Sequence, residues 1–259
     1  MTGKMFVRGT SIHQKWSPQL YESNARFVGD LATGAVELLN PRPGERIIDI
    51  GCGDGYLTEK IASTGALMTG VDYSPELVAV ARARGLDVRV GNAEEMDFFQ
   101  DFDGAFSNAA MHWMPRADAV VKNVEKALKP GGRFVGEFAG ARNAYHIRQA
   151  VHEALTRRGF DAAEIDPWYL PKVEEYRAVL EEGGFVVSHI ELFDRPVVID
   201  YPVRDWIRTF GSPYLTVLEE EARDPLLDEV TRQLAPRLLR NDGRWTIDYT
   251  RLRFRAEKA

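Results

Sequence analysis

Three glycines within five residues, Gly51, Gly53 and Gly55, follow a short apolar run and precede a helical pattern. Glycine lets backbone N–H groups approach a ligand closely, and a helix N-terminus adds further N–H donors. Two acids flank the turn, Asp49 and Asp54. A dinucleotide site has the spacing G-x-G-x-x-G and faces a pyrophosphate, whereas here the third glycine comes one residue early and the acids would repel phosphate. The turn therefore indicates a nucleotide-type site for a ligand that carries an amine, with an ordinary tight turn as the alternative.

A second group of residues with chemical potential follows a later apolar run. His112 and Trp113 both carry ring N–H groups that can orient a carboxylate, and His112 is also the best-placed general base for a phenol or amine substrate. Beyond the next apolar run, the stretch 142–148 contains Tyr145 and several basic residues, among them Arg142. These cations suit an anionic substrate in an otherwise acidic protein. The alternatives are a structural histidine, core packing for Trp113 and a solvated helix face.

Composition limits the classes of protein to which this chain can belong. Hydrophobic residues make up 44% and charged residues 28% of 259 residues, which is typical of one globular domain or a domain with a lid. The net charge of -6 argues against a nucleic-acid partner. Cys52 is the sole cysteine, so a disulfide framework and a thiolate metal site are excluded, and no metal is expected. Without a signal-peptide pattern or an apolar run of ~20 residues, we expect a cytoplasmic protein with no membrane partner.

Strands and helices alternate along the first half of the chain and position these residues. Apolar runs predict strands over 46–50, 67–73, 87–90, 102–107 and 133–138. Such alternation predicts an α/β fold with a mostly parallel sheet and helices on both faces. Ligands bind outside the carboxyl ends of the strands in sheets of this kind. The residues that lie at or just after the carboxyl ends of the predicted strands are Asp49, Gly51, Asp72, Asn92, Glu94 and the stretch 108–113.

The flanking segments are predicted to be mostly helical. An N-terminal helix is expected over about 17–38. The second half predicts helices over 141–158 and 171–182, a sixth strand over 185–193, a helical insertion over about 195–243 and a last strand over 245–254. Within that last strand the apolar alternation changes phase between Tyr249 and Leu252, which predicts a bulge.

Five linked motifs resemble those of the class I S-adenosylmethionine-dependent methyltransferases. They occupy residues 49–55, 70–75, 91–94, 102–108 and 128–132, in the order found in that family. The resemblance implies a Rossmann-like, seven-stranded, mostly parallel sheet whose last strand is antiparallel, with additional helical lid segments. It also implies S-adenosyl-L-methionine as cofactor and S-adenosyl-L-homocysteine as product. The expected division is an N-terminal lid and helix (1–40), a cofactor-binding core (41–140) and the rest of the sheet with a substrate lid (141–259), within one compact domain.

The resemblance also implies cofactor-binding roles, position by position. The residues expected to form a platform under the methionine part of the cofactor are Gly51, Cys52, Gly53 and Gly55. Asp49 is expected to order that loop and the amino group, and Asp72 to accept both ribose hydroxyls, which suits a carboxylate. The adenine is expected to contact Tyr73, Asn92, Ala93 and Glu94, although Asn92 stands where the family more often has Asp. Backbone groups of Asn108 and Ala109 are expected near the cofactor amine.

A narrower resemblance concerns the substrate. The segment 107–113 looks like the same segment in the trans-aconitate methyltransferases, and Trp16, Tyr21 and the insertion from Asp205 onward match other features of that group. This resemblance favours O-methylation of a carboxylate on a small molecule, with His112 and Trp113 as the catalytic and substrate-orienting residues. The other residues expected to line the substrate pocket are Trp16, Tyr21, Arg142, Tyr145, Trp168 and Trp206.

Other functions fit the same sequence. An O-, N- or C-methyltransferase with His112 as the base carries the same motifs, and so does a non-methylating cofactor-binding protein, because fold does not determine function. A nicotinamide-dependent dehydrogenase is disfavoured by the glycine spacing. The sequence does not identify the small-molecule substrate, although the cations of the stretch 142–148 suit an anionic one. It also leaves open whether the protein is a monomer or a dimer.

Overall fold

The computed structural model describes residues 31–259, and contacts between residues divide them into two units. Within the described residues, the larger unit contains residues 31–143, 168–195 and 249–259, and the smaller unit contains residues 144–167 and 196–248. Most of the predicted N-terminal lid, including residues 17–30 of the helix predicted over about 17–38, lies outside the described residues. Among residues 31–259, no helix combines the length and the apolar character needed to cross a bilayer.

The nine strands of the described chain are β1 (Arg46–Ile50), β2 (Leu67–Asp72), β3 (Asp87–Val90), β4 (Phe102–Asn108), β5 (Leu128–Ala139), β6 (Phe185–Asp194), β7 (Val197–Ile199), β8 (Trp245–Ile247) and β9 (Thr250–Lys258). Seven of them form the sheet of the larger unit in the order β3-β2-β1-β4-β5-β9-β6. Strand β9 pairs antiparallel with both β5 and β6, while β1 to β5 pair in parallel. The predicted seven-stranded, mostly parallel sheet with an antiparallel last strand is confirmed.

The helices of the larger unit follow the strands as the sequence predicts. They are α1 (Thr33–Leu39), α2 (Tyr56–Ala62), α3 (Pro75–Ala83), a 3-10 turn (Met111–Trp113), α4 (Ala117–Ala127) and α7 (Val173–Glu182). Ser74 caps α3 by accepting a hydrogen bond from the Leu77 N–H, and Pro75 occupies the first helical position. Central strands are apolar on both faces, since Ile48 and Phe134 lie in one buried cluster and Ile47 and Val135 in the other.

The smaller unit contains the remaining helices and one strand pair. Its elements are α5 (Tyr145–Thr156), α6 (Ala162–Ile165), α8 (Val203–Phe210), α9 (Ser212–Thr216), α10 (Glu220–Leu238) and the antiparallel pair β7 and β8. The helix predicted over 141–158 begins later, at Tyr145, because Arg142 and Ala144 have positive φ angles of 67° and 48° that an α-helix does not accept. The insertion predicted as helical over 195–243 also contains β7.

The prediction of one bulged strand over 245–254 is wrong. Strand β8 ends at Ile247 and pairs with β7, whereas β9 begins at Thr250 and pairs with β5 and β6. Between them, the Asp248 carboxylate accepts hydrogen bonds from the backbone and the ring of His146, at 3.0 and 2.8 Å. The change in apolar phase therefore marks the passage of the chain from one sheet to another.

Candidate functional site

The glycine turn joins β1 to α2 and has a backbone that requires glycine. Gly51 has a φ of +75°, and a Cβ at that position would lie 2.2 Å from the Cβ of Ala110. Gly55 caps α2 with a φ of +79°, and a Cβ there would lie 2.5 Å from Leu86 Cδ1. Larger residues at these two positions would both strain the backbone and displace neighbours. The turn therefore presents bare backbone at the carboxyl end of β1.

Two carboxylates lie beside this turn, the buried Asp49 and the partly buried Asp72. Asp49 is 3% exposed, and its Oδ2 accepts a hydrogen bond of 2.6 Å from the Thr58 hydroxyl. Asp72 accepts from the Gly53 N–H at 2.9 Å and from the Ser74 N–H at 2.8 Å, so it ties the end of β2 to the turn. Burial raises the pKa of both acids, and for Asp49 burial together with the nearby Asp72 charge raises the pKa to about 7.

These two acids have a charge suited to a cationic ligand. Within the described part of the chain, no Lys, Arg or His forms an ion pair with Asp49 or Asp72. Buried carboxylates without a cation are costly, and a ligand that brings positive charge relieves that cost. S-adenosylmethionine carries a positive sulfonium and an ammonium group. The donor set around the turn therefore fits the cofactor that the motifs imply.

Cys52 lies inside the turn and is also buried. Burial and the neighbouring acids Asp49 and Asp72 raise the pKa of its thiol well above the ordinary value, so the thiolate is not formed at neutral pH. Cys52 therefore acts as a small apolar filler rather than as a nucleophile. Its predicted place in the cofactor platform stays a prediction.

The residues predicted beside the adenine lie in loops after β2 and β3. Tyr73 is 51% exposed, whereas Ala93 is buried. The Asn92 side chain accepts a hydrogen bond of 3.0 Å from the Glu94 N–H. The Glu94 carboxylate accepts from both the backbone N–H and the Nε of Arg116, at 3.1 and 2.8 Å. A carboxylate has about four acceptor positions, so Arg116 orients Glu94 and leaves acceptor capacity for a ligand.

His112 follows the end of β4, where Asn108 is the last strand residue. Ala109 has a φ of +55° and donates a hydrogen bond of 2.7 Å to the carbonyl of Glu137. This bend leads into the 3-10 turn that carries His112, which is only 8% exposed. Its Nδ1 accepts a hydrogen bond from the Ala139 N–H at 3.4 Å, so Nε2 carries the proton of the neutral ring. Burial and the positive charge of Arg251 lower the pKa of His112 well below its usual value.

Aromatic rings gather beside His112. The ring of Trp113 lies 5.3 Å from the His112 ring and 5.8 Å from the Trp168 ring, between centroids. The carbonyl of His112 also accepts a hydrogen bond of 2.9 Å from the Tyr169 N–H, which holds the loop that carries Trp168. The structure therefore brings three predicted substrate residues together, and this group is called the His112 cluster below.

The other predicted substrate residues belong to other elements of the chain. Arg142 is in the loop after β5 of the larger unit, and Tyr145 begins α5 in the smaller unit. Trp206 is 2% exposed, and its ring packs 5.3 Å from that of Phe210 inside the smaller unit. Trp16 and Tyr21 lie outside the described residues. A shared pocket for this wider set stays a prediction.

Arg251 is the residue beside the His112 cluster that sequence analysis missed. It lies on β9 opposite Ala139 of β5, and only 7% of its surface is exposed. Its guanidinium carbon lies 4.8 Å from the centre of the Tyr249 ring. The available signal was the alternation of Arg251, Arg253 and Arg255 with apolar residues, a pattern that usually indicates a solvated strand face.

Among the described residues, no group of three or more His, Cys, Asp or Glu side chains is arranged to hold a metal ion.

Comparison with known proteins gives matches over nearly the whole chain. A family model described as a methyltransferase domain matches residues 48–136. An uncharacterised methyltransferase of Schizosaccharomyces pombe is 33% identical over 255 residues, which cover 94% of this chain and 98% of that protein. Trans-aconitate 2-methyltransferase of Mycobacterium tuberculosis is 31% identical, with 93% and 96% covered. That of Mycolicibacterium gilvum is 36% identical, with 86% and 89% covered.

Solved structures of lower identity share the fold. Phosphoethanolamine N-methyltransferase 2 of Haemonchus contortus, solved with S-adenosylhomocysteine, is 22% identical with a TM-score of 0.55. The match covers 88% of this chain but spans about half, 52%, of that longer protein. The cyclase SpnF is 18% identical with a TM-score of 0.57, covering 89% of this chain and 81% of that one. Fold similarity at this level therefore does not identify an activity. The relatives that match along most of their length and the matched methyltransferase domain identify the family, and the geometry of the glycine turn agrees with it. This chain belongs to the S-adenosylmethionine-dependent methyltransferases.

Proposed function

We propose that this methyltransferase transfers the methyl group of S-adenosylmethionine to a carboxylate oxygen of a small molecule. The observation that carries the proposal is the position of His112, a buried imidazole beside the buried Arg251 guanidinium. A general base must accept a proton, and an imidazolium at this position would face a positive charge without solvent to screen it. His112 is therefore suited to donate a hydrogen bond and poorly suited to act as a base.

A carboxylate is the acceptor that makes a base unnecessary. Its ordinary pKa near 4 leaves it ionised at neutral pH. The Nε2–H of His112 and the indole N–H of Trp113 are neutral donors that can orient such an oxygen. Phenol and amine acceptors, in contrast, must lose a proton during the reaction. The alternative in which His112 serves as the base is therefore disfavoured.

The chemistry itself asks little of the protein beyond alignment. When bound, the cofactor supplies a methyl group on a sulfonium, so that a C–O bond forms as the S–C bond breaks and sulfur keeps the electron pair. Opposite charges on the acceptor and the sulfonium are neutralised as the methyl group moves. A dry site that aligns the reactants favours this step. The apolar rings of Trp113 and Trp168 supply such surroundings for the acceptor.

The relatives support a carboxylic acid as substrate. Three of the whole-length relatives are named for methylation of trans-aconitate, an unsaturated tricarboxylic acid. Their identity to this chain, between 28% and 36%, leaves room for a different acid. The N-methyltransferase from Haemonchus contortus shares only the fold at 22% identity. We therefore propose a small carboxylic acid without committing to trans-aconitate.

The cofactor-binding residues are assigned as part of the same proposal. Asp49 binds the ammonium group of the cofactor, and Asp72 accepts hydrogen bonds from the ribose hydroxyls. The backbone of the glycine turn contacts the methionine part. Each oxygen of Asp72 accepts a hydrogen bond from one backbone N–H. Each oxygen has two lone pairs, so both can also accept a ribose hydroxyl without releasing the turn.

Asp72→Ala is expected to weaken S-adenosylhomocysteine binding about tenfold or more. Two hydrogen bonds to a charged acceptor are lost, and the Gly53 and Ser74 N–H groups lose the partner that orders the turn. Isothermal calorimetry measures the affinity directly. The matched control is Asp54→Ala, which removes an acid from the same turn whose carboxylate contacts Tyr56 N–H and Arg84 instead. Equal losses in the two variants would contradict the assignment of Asp72.

His112→Gln separates a donor from a base. Glutamine keeps an N–H donor near the place of Nε2 but cannot accept a proton at neutral pH. With any acid that the wild type methylates, we expect the turnover of His112→Gln to stay within about tenfold of the wild-type value. A general base accelerates a reaction by ~100- to 10,000-fold, and a carboxylate acceptor does not require one. His112→Ala, which lacks the donor, should lose more. A loss beyond about 100-fold in the glutamine variant, with normal cofactor affinity, would restore the base alternative.

A further inference from the structure

Arg251 is a buried cation that forms no ion pair with a described acid, although the charge of Glu137 acts on it. It is 7% exposed. Across residues 31–259, no carboxylate or carbonyl accepts a hydrogen bond from its guanidinium, whose described contact is the face of the Tyr249 ring. Buried charges in proteins are normally paired, because an unpaired ion loses its hydration without compensation. The position therefore needs a reason other than stability.

The neighbouring acid is already used by two other arginines. Glu137 of β5 is 2% exposed, and its carboxylate forms ion pairs with Arg195 and, at 2.7 Å, with Arg253. Arg253 lies opposite Glu137 in the strand register, whereas Arg251 lies opposite Ala139, two residue pairs further along. The charge of Glu137 also acts on Arg251, so three guanidinium groups share this carboxylate, and Arg253 alone pairs in addition with Glu191, at 3.4 Å. Among these three described arginines, Arg251 is the one without an ion pair, since the other two are bonded to Glu137.

Arg251 lies next to the His112 cluster. The Ala139 N–H that donates to His112 Nδ1 belongs to the residue paired with Arg251 across β5 and β9. The charge of Arg251 acts on His112. Stacking on Tyr249 covers a face of the guanidinium and leaves its in-plane N–H fork for an acceptor. A fork of this geometry matches a carboxylate in a two-bond arrangement.

We infer that Arg251 binds an acid group of the substrate other than the one that receives the methyl group, and so selects substrates with at least two acid groups. The inference rests on the proposed carboxyl methylation. An arginine bonded to the accepting carboxylate would stabilise the charge that the reaction removes and would slow transfer. The neutral donors of His112 and Trp113 suit the accepting carboxylate, because they orient it without holding its charge. Arg251 suits a carboxylate whose charge persists throughout.

The test is binding of acids to the protein loaded with S-adenosylhomocysteine, so that no turnover is needed. Calorimetry compares succinate, glutarate and tricarballylate with the monoacid butyrate. The wild type should bind at least one of the polyacids more tightly than butyrate. In Arg251→Met that preference should fall about tenfold or more, since a charge-assisted pair of hydrogen bonds is lost. Arg251→Lys keeps the charge without the fork and should lie between the two.

Two controls separate recognition from folding. Arg255→Met removes one charge from the same face of β9, where Arg255 pairs with Glu257 and with the Leu38 carbonyl, and should leave acid binding unchanged. The melting temperature of Arg251→Met without acid should be equal to or above that of the wild type, because an unpaired buried charge is removed. A lower melting temperature together with lost S-adenosylhomocysteine binding would show a structural arginine instead.

The outcomes distinguish this inference from the proposed function. If the wild type shows no preference for polyacids, or if Arg251→Met retains it, the assignment of Arg251 is overturned, and methyl-ester formation by the wild type would still support the proposed function. If the wild type forms no methyl ester with any acid, the proposed function fails, and with it the role of Arg251 beside an accepting carboxylate. Loss of the polyacid preference in Arg251→Met alone, with Arg255→Met unaffected, supports the inference.

Discussion

Asp49→Asn is expected to weaken S-adenosylmethionine binding roughly 10- to 150-fold at pH 8, because it removes a charge-assisted hydrogen bond worth ~1.5–3 kcal/mol. Asparagine keeps an oxygen that can accept the Thr58 hydroxyl, now bonded to Asp49 at 2.6 Å. The shape of the site and the support of α2 are therefore preserved. Calorimetry at pH 8 measures the change, and an affinity equal to that of the wild type would contradict the role of Asp49.

The pH dependence of cofactor affinity provides a second test of the role of Asp49. Burial raises the pKa of Asp49 to about 7 in the free protein, and a bound ammonium group favours the ionised form. Binding below pH 7 therefore releases a proton, so affinity should rise as the pH increases towards 7 and level off above it. Asp49→Asn should remove this rise. Thr58→Val removes a hydrogen bond that lowers the pKa of Asp49, so it should shift the plateau to higher pH.

The stability of the cofactor-free protein should respond in the opposite direction. The folded-state pKa of Asp49, about 7, lies above its ordinary value of 3.8, so the folded chain binds more protons than the unfolded chain between these values. The free energy of unfolding then falls as pH rises through that window, by up to about 4 kcal/mol. Asp49→Asn should remove the fall and be more stable than the wild type at pH 8. Urea unfolding at pH 5 and 8 measures both trends, and parallel losses in both proteins would contradict the account.

Glu137→Gln is expected to destabilise the protein by about 3–5 kcal/mol, the usual result of removing one partner from a buried ion pair. Glu137 is 2% exposed and holds the guanidinium groups of Arg195 and Arg253, whose side chains are each 17% exposed. The glutamine amide cannot neutralise either cation, so the largely buried Arg195 loses its counterion and Arg253 keeps only its pair with the more exposed Glu191. The substitution should therefore lower the urea midpoint strongly.

Glu191→Gln is the matched control for Glu137. Its carboxylate also pairs with Arg253, at 3.4 Å, but its side chain is 42% exposed. Exposed pairs of this kind contribute less than about 1 kcal/mol. Similar shifts of the urea midpoint in the two variants would contradict the buried network around Glu137.

The sequence predicted the cofactor half of the molecule well, because the signals there are local. Apolar runs bounded by Gly51, Asp72 and Asn108 end where the strands end, and Ser74-Pro75 caps a helix as expected. Parallel strands place their carboxyl ends along one edge, so residues far apart in sequence meet without further information. The positions of Asp49 and Asp72 follow from that rule alone.

Residues whose environment depends on distant partners were not predictable in this way. The alternation of charged and apolar residues predicts that Arg251 lies on a solvated strand face, whereas the pairing of β9 with β5 and β6 buries it. The contact of Glu94 with Arg116 joins a loop to a helix 22 residues away. The change of phase in the apolar alternation after Tyr249 predicts a bulge, although in the structure it marks the passage of the chain between two sheets. Each case depends on which strand or helix lies next to the residue, which periodicity does not specify.

The most direct test of the central claim is the chemical nature of the methylated product. The purified protein is incubated with methyl-labelled S-adenosylmethionine and a panel of small mono-, di- and tricarboxylic acids, and each product is treated with mild base. Carboxyl methylation predicts label that base releases as volatile methanol, because esters hydrolyse under these conditions. Label that remains bound to a non-volatile product after base treatment would show an ether, amine or carbon acceptor and would contradict the proposed function.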